Sequence, residues 1–377
     1  MKLNTIKPFL PSIDEIYDDF KTSLETGMVT NNSPKSKELE TKLKEYFNST
    51  QTPLLFCNGE LALFNLIQAH KLKLGYSTND TFDVLVPSLT FSGTLNAILM
   101  NNLKPVFCDV DETLTIDIDK CVADTNIKMM VVVGAYGNLP NLDKIYKFSK
   151  DNNLVVIFDN APAFGAKFNN KFVSEYGYSE IYSFHASKIF TTMEGGAAVI
   201  NDKDVWEYTS RLRDFGQYEK VRGNIDVPGL NGKMQEISAI VGIKNLEKID
   251  FILESRLKNV EKYHTFFKAS DNVKLFDTMT VNKNVLCSYL YYPIILKEDA
   301  TNFVEYMQQH GIIVRRYYTA VHTLDLYRNK YKQLNLDYTE SIKDRLVAIP
   351  IHTIMLDEDI EYLFTTIEKY FKQWKTF

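Results

Sequence analysis

From Leu54 to Phe158 the chain repeats one pattern. A short apolar run is followed by a turn of small or polar residues, then by a longer helical segment. The apolar runs are Leu54–Cys57, Asp83–Val86, Lys104–Val110, Met129–Val133 and Leu154–Phe158. Each is short, apolar throughout its core and bounded by turn signals, which predicts a buried strand. Between them, Leu61–Lys73, a segment ending at Met100, and a segment from Pro140 to Asp151 read as helices. Strand and helix alternate at about 25-residue intervals, so the pattern predicts an α/β fold, a mostly parallel sheet with helices on both faces. Ligands of such sheets sit at the carboxyl ends of the strands. Cys57, Val86, Val133 and Phe158 mark those ends.

The flanks read differently. Pro8-Phe9-Leu10-Pro11 opens an extended arm, and Glu15–Glu25 and Lys37–Phe47 have helical periodicity. After the repeats come a strand at Ala197–Ile200, a helix from Asp202 to Asp214, a loop at Glu219–Pro228, and a long helix starting at Gly229–Glu236 and running to Lys248. A helix then runs to Ala269, with strands at Val285–Leu296 and Gly311–Val314. Further helices are expected near Asn302–Gln309, Thr339–Leu346 and Asp357–Trp374. The mixture divides the chain into a large domain, residues 1–250, and a smaller C-terminal α+β domain, residues 251–377.

With 377 residues, 45% of them hydrophobic, the chain can bury a sizeable core. A net charge of −5 argues against nucleic acid as a partner. No apolar run reaches the roughly 18 residues a membrane helix needs, and Met1–Glu15 lacks the apolar centre of a signal peptide. Cys57, Cys108, Cys121 and Cys287 show no CxxC pairing, which fits free thiols in a cytoplasmic protein. The six histidines show no metal-ligand spacing, so no metal is assigned.

The chemistry concentrates between Phe158 and Gly196. Asp159 ends an apolar run; twenty-nine residues later, Lys188 follows Ser183-Phe184-His185-Ala186-Ser187. A strand-end carboxylate and a lone lysine in a small-residue loop suit pyridoxal 5'-phosphate (PLP). The amine can condense with the aldehyde, and the carboxylate can keep the pyridine nitrogen protonated. The plainer alternative is a solvated lysine. Asn58-Gly59-Glu60 joins a strand to a helix, the geometry of an anion site, although an ordinary turn has the same sequence. Phe91, just past a strand end, could stack on a flat ligand or belong to the core.

The segments Asp159-Asn160-Ala161-Pro162, Ser183-Phe184-His185-Ala186-Ser187-Lys188 and Met193-Glu194-Gly195-Gly196 together resemble the active-site signature of the DegT/DnrJ/StrS family of PLP-dependent nucleotide-sugar aminotransferases. The resemblance covers most of the chain. It implies PLP fold type I, with PLP on Lys188 and Asp159 against the pyridine nitrogen. Gly59, Glu60 and Ser183 would belong to the cofactor site, with Phe91 stacked on the ring. In the family a Gly-x-Asn-x-(Arg/Lys)-Met segment comes from the partner subunit. The match at Asn231, within Gly229–Met234, implies a homodimer with shared active sites. Thr30 and Asn31 would lie near the active site at that interface. The implied reaction moves an amino group from L-glutamate to a keto sugar nucleotide. The Asn231-Gly232-Lys233-Met234 form resembles the branch that makes dTDP-4-amino-4,6-dideoxyglucose or dTDP-3-amino-3,6-dideoxyhexoses. Lys233, Arg315 and Arg316 are candidates for the substrate phosphates; the two guanidinium forks could equally hold a donor carboxylate, or be a solvated basic pair.

Two positions depart from the family pattern. Glu60 stands where the family has a threonine that holds phosphate, so its carboxylate should point away while its backbone N–H binds. Pro162 replaces a Gln or His and has no donor. Three rivals remain: a small phosphorylated ketone as acceptor, the family's dehydratase branch, and a non-catalytic PLP-binding regulator. The dehydratases carry His at the lysine position, so Lys188 argues against that branch.

Overall fold

A computed structural model describes residues 3–218, 221–269 and 276–374. Helices α1 (Ile13–Thr26) and α2 (Pro34–Tyr46) precede the first strand. The repeats follow as β1 (Leu54–Phe56), α3 (Gly59–Lys73), β2 (Asp83–Pro87), α4 (Ser92–Met100), β3 (Lys104–Cys108), β4 (Ile127–Val133), α5 (Leu142–Asp151) and β5 (Val155–Asp159). Next come β6 (Lys167–Phe168), β7 (Ser179–Ser183), β8 (Gly196–Val199) and α6 (Lys203–Arg213). A ribbon, β9 (Gln217–Tyr218) and β10 (Val221–Ile225), precedes α7 (Glu236–Leu246) and α8 (Ile249–Ala269). The last elements are β11 (Phe276–Thr278), β12 (Val285–Leu286), β13 (Tyr292–Leu296), α9 (Thr301–Gln309), α10 (Asp337–Ile342), β14 (Leu346–Ile349) and α11 (Asp357–Trp374).

Seven strands form one sheet in the order β1-β8-β7-β5-β4-β2-β3. From β7 to β3 every pairing is parallel; β8 runs antiparallel to both β7 and β1. The continuous apolar runs now have a physical reason. Met129, Met130, Val131, Val132 and Val133 are all buried, because the middle of this sheet is covered on both faces. A second, antiparallel sheet, β11-β13-β14, lies under α8, α9 and α11, and residues of both units share one apolar core. The N-terminal arm reaches that second unit: Leu3 pairs with Ile312, and the Thr5 hydroxyl donates to the Ile313 carbonyl.

Several sequence expectations need correction. The segment from Gly229 to Gln235 is extended, and α7 begins only at Glu236. Its backbone is held by the sheet instead: Cys57 N–H donates to the Gly232 carbonyl at 2.8 Å, and Lys233 bridges to Phe56. The expected loop at Glu219–Pro228 contains β10; Glu219 and Lys220 lie outside the described residues. The strand expected over Val285–Leu296 is two strands with a tight, tyrosine-rich link. Gly311–Val314 makes only an isolated bridge, at Ile312. The helix expected to Leu346 stops at Ile342, and Leu346 starts β14, because four apolar residues pair with β13.

Candidate active site

A cleft of about 340 Å³ opens at the carboxyl ends of β1, β2, β4, β5 and β7. Asp159, Lys188, Gly59, Glu60, Phe91 and Ser183 all line it, so six residues singled out in the sequence come together there. The cleft also holds Thr94, Pro162, His185, Ser187, Glu194 and the tyrosines Tyr291, Tyr317 and Tyr318.

Asp159 is the last residue of β5 and is 6% exposed. Its Oδ2 accepts a 2.7 Å hydrogen bond from the Thr94 hydroxyl, and its Oδ1 accepts from Ala161 N–H at 3.1 Å. Thr94 in turn meets Thr90 Oγ1 at 2.9 Å. Burial pushes the Asp159 carboxyl above its ordinary pKa, opposed by Thr94, by the Ala161 amide and by the Lys188 charge. Lys188 is half-buried across the cleft, and burial lowers its amine's pKa, against the pull of Asp159. Each therefore carries its charge at a cost in this site. A third, cationic group beside Asp159 would relieve the carboxylate, and an aldehyde would consume the amine.

The anion cradle follows from the sheet register. Phe56, Gly196 and Ser183 sit side by side across β1, β8 and β7, and α3 begins directly above them at Gly59. A Cβ on Gly59 would fall 2.7 Å from Ser183 Cβ, and one on Gly196 would fall 2.6 Å from Gly59 N. Only glycine permits this closure at both positions. The Asn58 side chain caps α3, accepting from Leu61 N–H at 2.8 Å. The amides of Gly59 and Glu60 lie ahead of it, in a first turn that offers no acceptor within the helix. Such a cradle fits a phosphate.

Glu60 is exposed, and its carboxylate leans toward the first turn of α4. A Cβ on Gly93 would lie 3.6 Å from Glu60 Cδ and 3.7 Å from Oε2. The side chain thus still lines the cleft, at the amino terminus of a second helix, where a negative charge is favoured. Phe91 caps that helix and is 59% exposed, so the core alternative for it does not hold. His185 sits at the mouth, its Nδ1 2.8 Å from the Ser187 hydroxyl and its Nε2 3.5 Å from Glu194 Oε1. His185, Ser187 and Glu194 were legible only as members of the motif; Thr94 and the three tyrosines had no signal of their own.

The remaining candidates are elsewhere. Lys233 is buried, its amine paired with Asp214 and set 4.7 Å over the Phe215 ring, and it does not line the cleft of its own chain. Arg316 turns to Thr301 Oγ1 at 2.6 Å and Asp299 at 3.3 Å, outside the cleft. Arg315 is exposed and near enough to the cleft residue Tyr291 to oppose slightly the upward push that burial gives its phenol. Thr30, Asn31 and Asn231 are exposed and do not line the cleft of their own chain. No His/Cys/Asp/Glu cluster among the described residues could hold a metal, and no described helix is long and apolar enough to cross a membrane.

Comparison with known proteins identifies the family. The model of the DegT/DnrJ/EryC1/StrS aminotransferase family matches residues 12–368. The chain is 30% identical over 371 residues to the dTDP-4-amino-4,6-dideoxy-D-glucose transaminase of Shigella dysenteriae, covering 96% of this chain and 97% of that protein. It is 28% identical over 341 residues to the GDP-perosamine synthase of Escherichia coli O157:H7, covering 89% and 90%. Among solved structures, a Helicobacter pylori aminotransferase involved in the biosynthesis of pseudoaminic acid superposes with a TM-score of 0.89 at 23% identity, covering 99% of this chain and 100% of that one. A GDP-4-keto-6-deoxymannose-3-dehydratase superposes with a TM-score of 0.86, also at 23% identity, covering 97% and 100%, so the fold alone does not choose between the two chemistries. On the family match and the full-length relative, this chain belongs to the DegT/DnrJ/EryC1/StrS aminotransferase family and is a PLP-dependent aminotransferase.

Proposed function

We propose that this enzyme transfers the amino group of L-glutamate to a dTDP-linked 4-keto-6-deoxy sugar, with Lys188 as the residue that carries PLP. The observation that supports the reading is one cleft lined by Lys188, Asp159 and the Gly59 turn together. The cofactor, when bound, supplies an electron sink for proton removal at the substrate carbon. The chain's own groups do the rest. The α3 turn would hold the phosphate, Phe91 would cover the ring face, and Asp159 would hold a proton at the ring nitrogen. The Lys188 amine would be the group that moves the proton at the reacting carbon; burial lowers its pKa from the ordinary lysine value, which favours its acting as a base.

The active unit in this reading is a homodimer. Ile13, Tyr17, Phe20 and Leu24 recur on one face of α1, exposed by 72%, 56%, 39% and 59%. Such a stripe on a monomer calls for a covering partner, and a second copy would also bring Asn231, Thr30 and Asn31 toward a neighbouring cleft. The free state of all four cysteines supports a cytoplasmic location.

The deciding experiment compares kcat/KM for dTDP-4-keto-6-deoxyglucose and for dihydroxyacetone phosphate, with glutamate as donor. Preference for the nucleotide sugar is expected. The small ketone is the second reading, favoured by Pro162 and Glu60, two cleft residues that depart from the family pattern. A tenfold preference for it would overturn the acceptor and leave the aminotransferase standing.

A further inference from the structure

Tyr318 lines the same cleft as Asp159 and Pro162 and is 6% exposed. Its hydroxyl oxygen is buried and finds no hydrogen-bond partner among the described residues. Buried phenolic hydroxyls ordinarily have one. The rest of the residue is held firmly. Its backbone N–H donates to the Tyr136 hydroxyl at 2.7 Å, that hydroxyl donates to the Tyr317 carbonyl, and the Tyr136 and Tyr318 rings pack at 4.9 Å between centroids. The Tyr318 backbone is fixed by these bonds, and its buried ring is packed against Tyr136. Its unused donor is matched by a shortage: Pro162, which follows the Asp159 segment into the cleft, has neither a side-chain donor nor a backbone N–H.

The cofactor brings a chemical need to this place. The pyridoxal ring carries a phenolic oxygen next to its aldehyde carbon, and that oxygen is anionic when the ring is joined to a protonated imine nitrogen. We propose that the Tyr318 hydroxyl donates a hydrogen bond to this ring oxygen, supplying the donor that position 162 lacks. The charged and titratable groups around Tyr318 are Asp159, Tyr136, Tyr291 and Tyr317. Burial foremost, then these neighbours, push its phenol well above the ordinary value, so Tyr318 keeps its proton and acts as a donor at every working pH.

The inference rests on PLP at Lys188, and the test separates the two. Wild type and Tyr318→Phe are stripped of PLP, reloaded, and titrated by visible absorbance; the PLP dissociation constant is measured by fluorescence quenching. A donor to the ring oxygen stabilises its anionic form, so deleting it strengthens the hold of the neighbouring imine nitrogen on its proton. The pKa of the visible band should rise by about one unit in Tyr318→Phe, a tenfold change in that proton equilibrium, and PLP affinity should fall. A merely structural tyrosine would move the melting temperature and leave the band's pKa in place. If wild type and Tyr318→Phe bind PLP equally and titrate alike, the Tyr318 inference falls and the Lys188 assignment survives. If wild type gives no visible band with PLP, both fall. Should Tyr318→Phe not fold, difluorotyrosine at position 318 keeps the shape with a more acidic phenol. It should lower the band's pKa, and no movement overturns the proposal.

Discussion

Thr94 on α4 donates a 2.7 Å hydrogen bond to Asp159 at the end of β5. It joins the strand that carries Asp159 to the helix that begins at the cleft wall. The bond also opposes the upward push of burial on Asp159. Thr94→Val deletes the donor and keeps the shape, so the Asp159 pKa should rise further. A smaller fraction is then ionised at a given pH, and the acid limb of the kcat/KM profile should move up by roughly half to one unit. Thr94→Ser should leave it in place. A limb that stays put in Thr94→Val would show that Asp159 ionisation does not govern activity.

Asp159 itself should separate stability from function. Folding raises its pKa, so the folded, PLP-free protein binds this proton more tightly than the unfolded chain does. The stabilisation linked to that proton is present in acid and lost as pH rises through the folded pKa. Asp159→Asn removes the buried charge. The PLP-free variant should therefore melt higher than wild type at neutral pH, and the difference should shrink toward acid. Its turnover should nevertheless drop at least tenfold, about 1.4 kcal/mol in barrier, because Asn cannot hold the ring nitrogen protonated. A smaller loss in kcat counts against the pairing.

Lys188 has its amine pKa lowered by burial. A larger share of it is neutral near pH 7 than of an ordinary lysine, and the neutral amine is the form that attacks an aldehyde. Stoichiometric PLP followed by borohydride should label this residue ahead of the chain's exposed lysines, as read by peptide mass mapping. The selectivity should fade above pH 10, where other lysines also deprotonate. A label on a different residue would refute the assignment.

Much of this site was legible in the sequence, for a definable reason. Strand ends, the Gly59 turn and the motif around Lys188 are local features, and local features survive as pattern. Phe91 was ambiguous because an aromatic after a strand suits a core as well as a cleft; its 59% exposure resolves it. The pairing of Lys233 could not be read, because a cation beside a motif asparagine looks like a phosphate ligand. Its partner, Asp214, is nineteen residues away and meets it only because Asp214 and Asn231 bridge two segments. Tyr317 and Tyr318 were unreadable for the same reason: their place on the wall depends on Tyr136, across 182 residues. The helix start expected at Gly229 failed because the bonds from Cys57 and Phe56 to this segment outweigh its local propensity.

The glycines at the cradle predict a stability effect. Gly59→Ala or Gly196→Ala places a Cβ within 2.7 Å or 2.6 Å of neighbouring atoms, which cannot yield without moving β7 or β1. Each should cost about 1–3 kcal/mol, visible in denaturant titration, and each should weaken PLP binding through the distorted α3 turn. Wild-type stability in both variants would mean the three strands do not close on Gly59 as described.

The last prediction concerns the partner subunit. Asn231 is exposed in its own chain and does not line that chain's cleft. If it serves the cofactor phosphate of the other subunit, Asn231→Asp should turn a contact into a repulsion and empty the site, while leaving Lys188 untouched. Lys188→Ala should be inactive for the opposite reason. Each pure variant is then dead, but a mixed dimer has one intact site, made of Lys188 from one subunit and Asn231 from the other. Unfolding and refolding the two variants together at equal amounts should give mixed dimers in about half of the population and so restore about one quarter of wild-type activity. A cis contact has a different signature, because no subunit in the mixture then carries both residues and activity stays at the background level. Light scattering on the same samples keeps the test fair, since a dimer must be present for either outcome to count. A fully active monomer would remove the need for a shared site altogether.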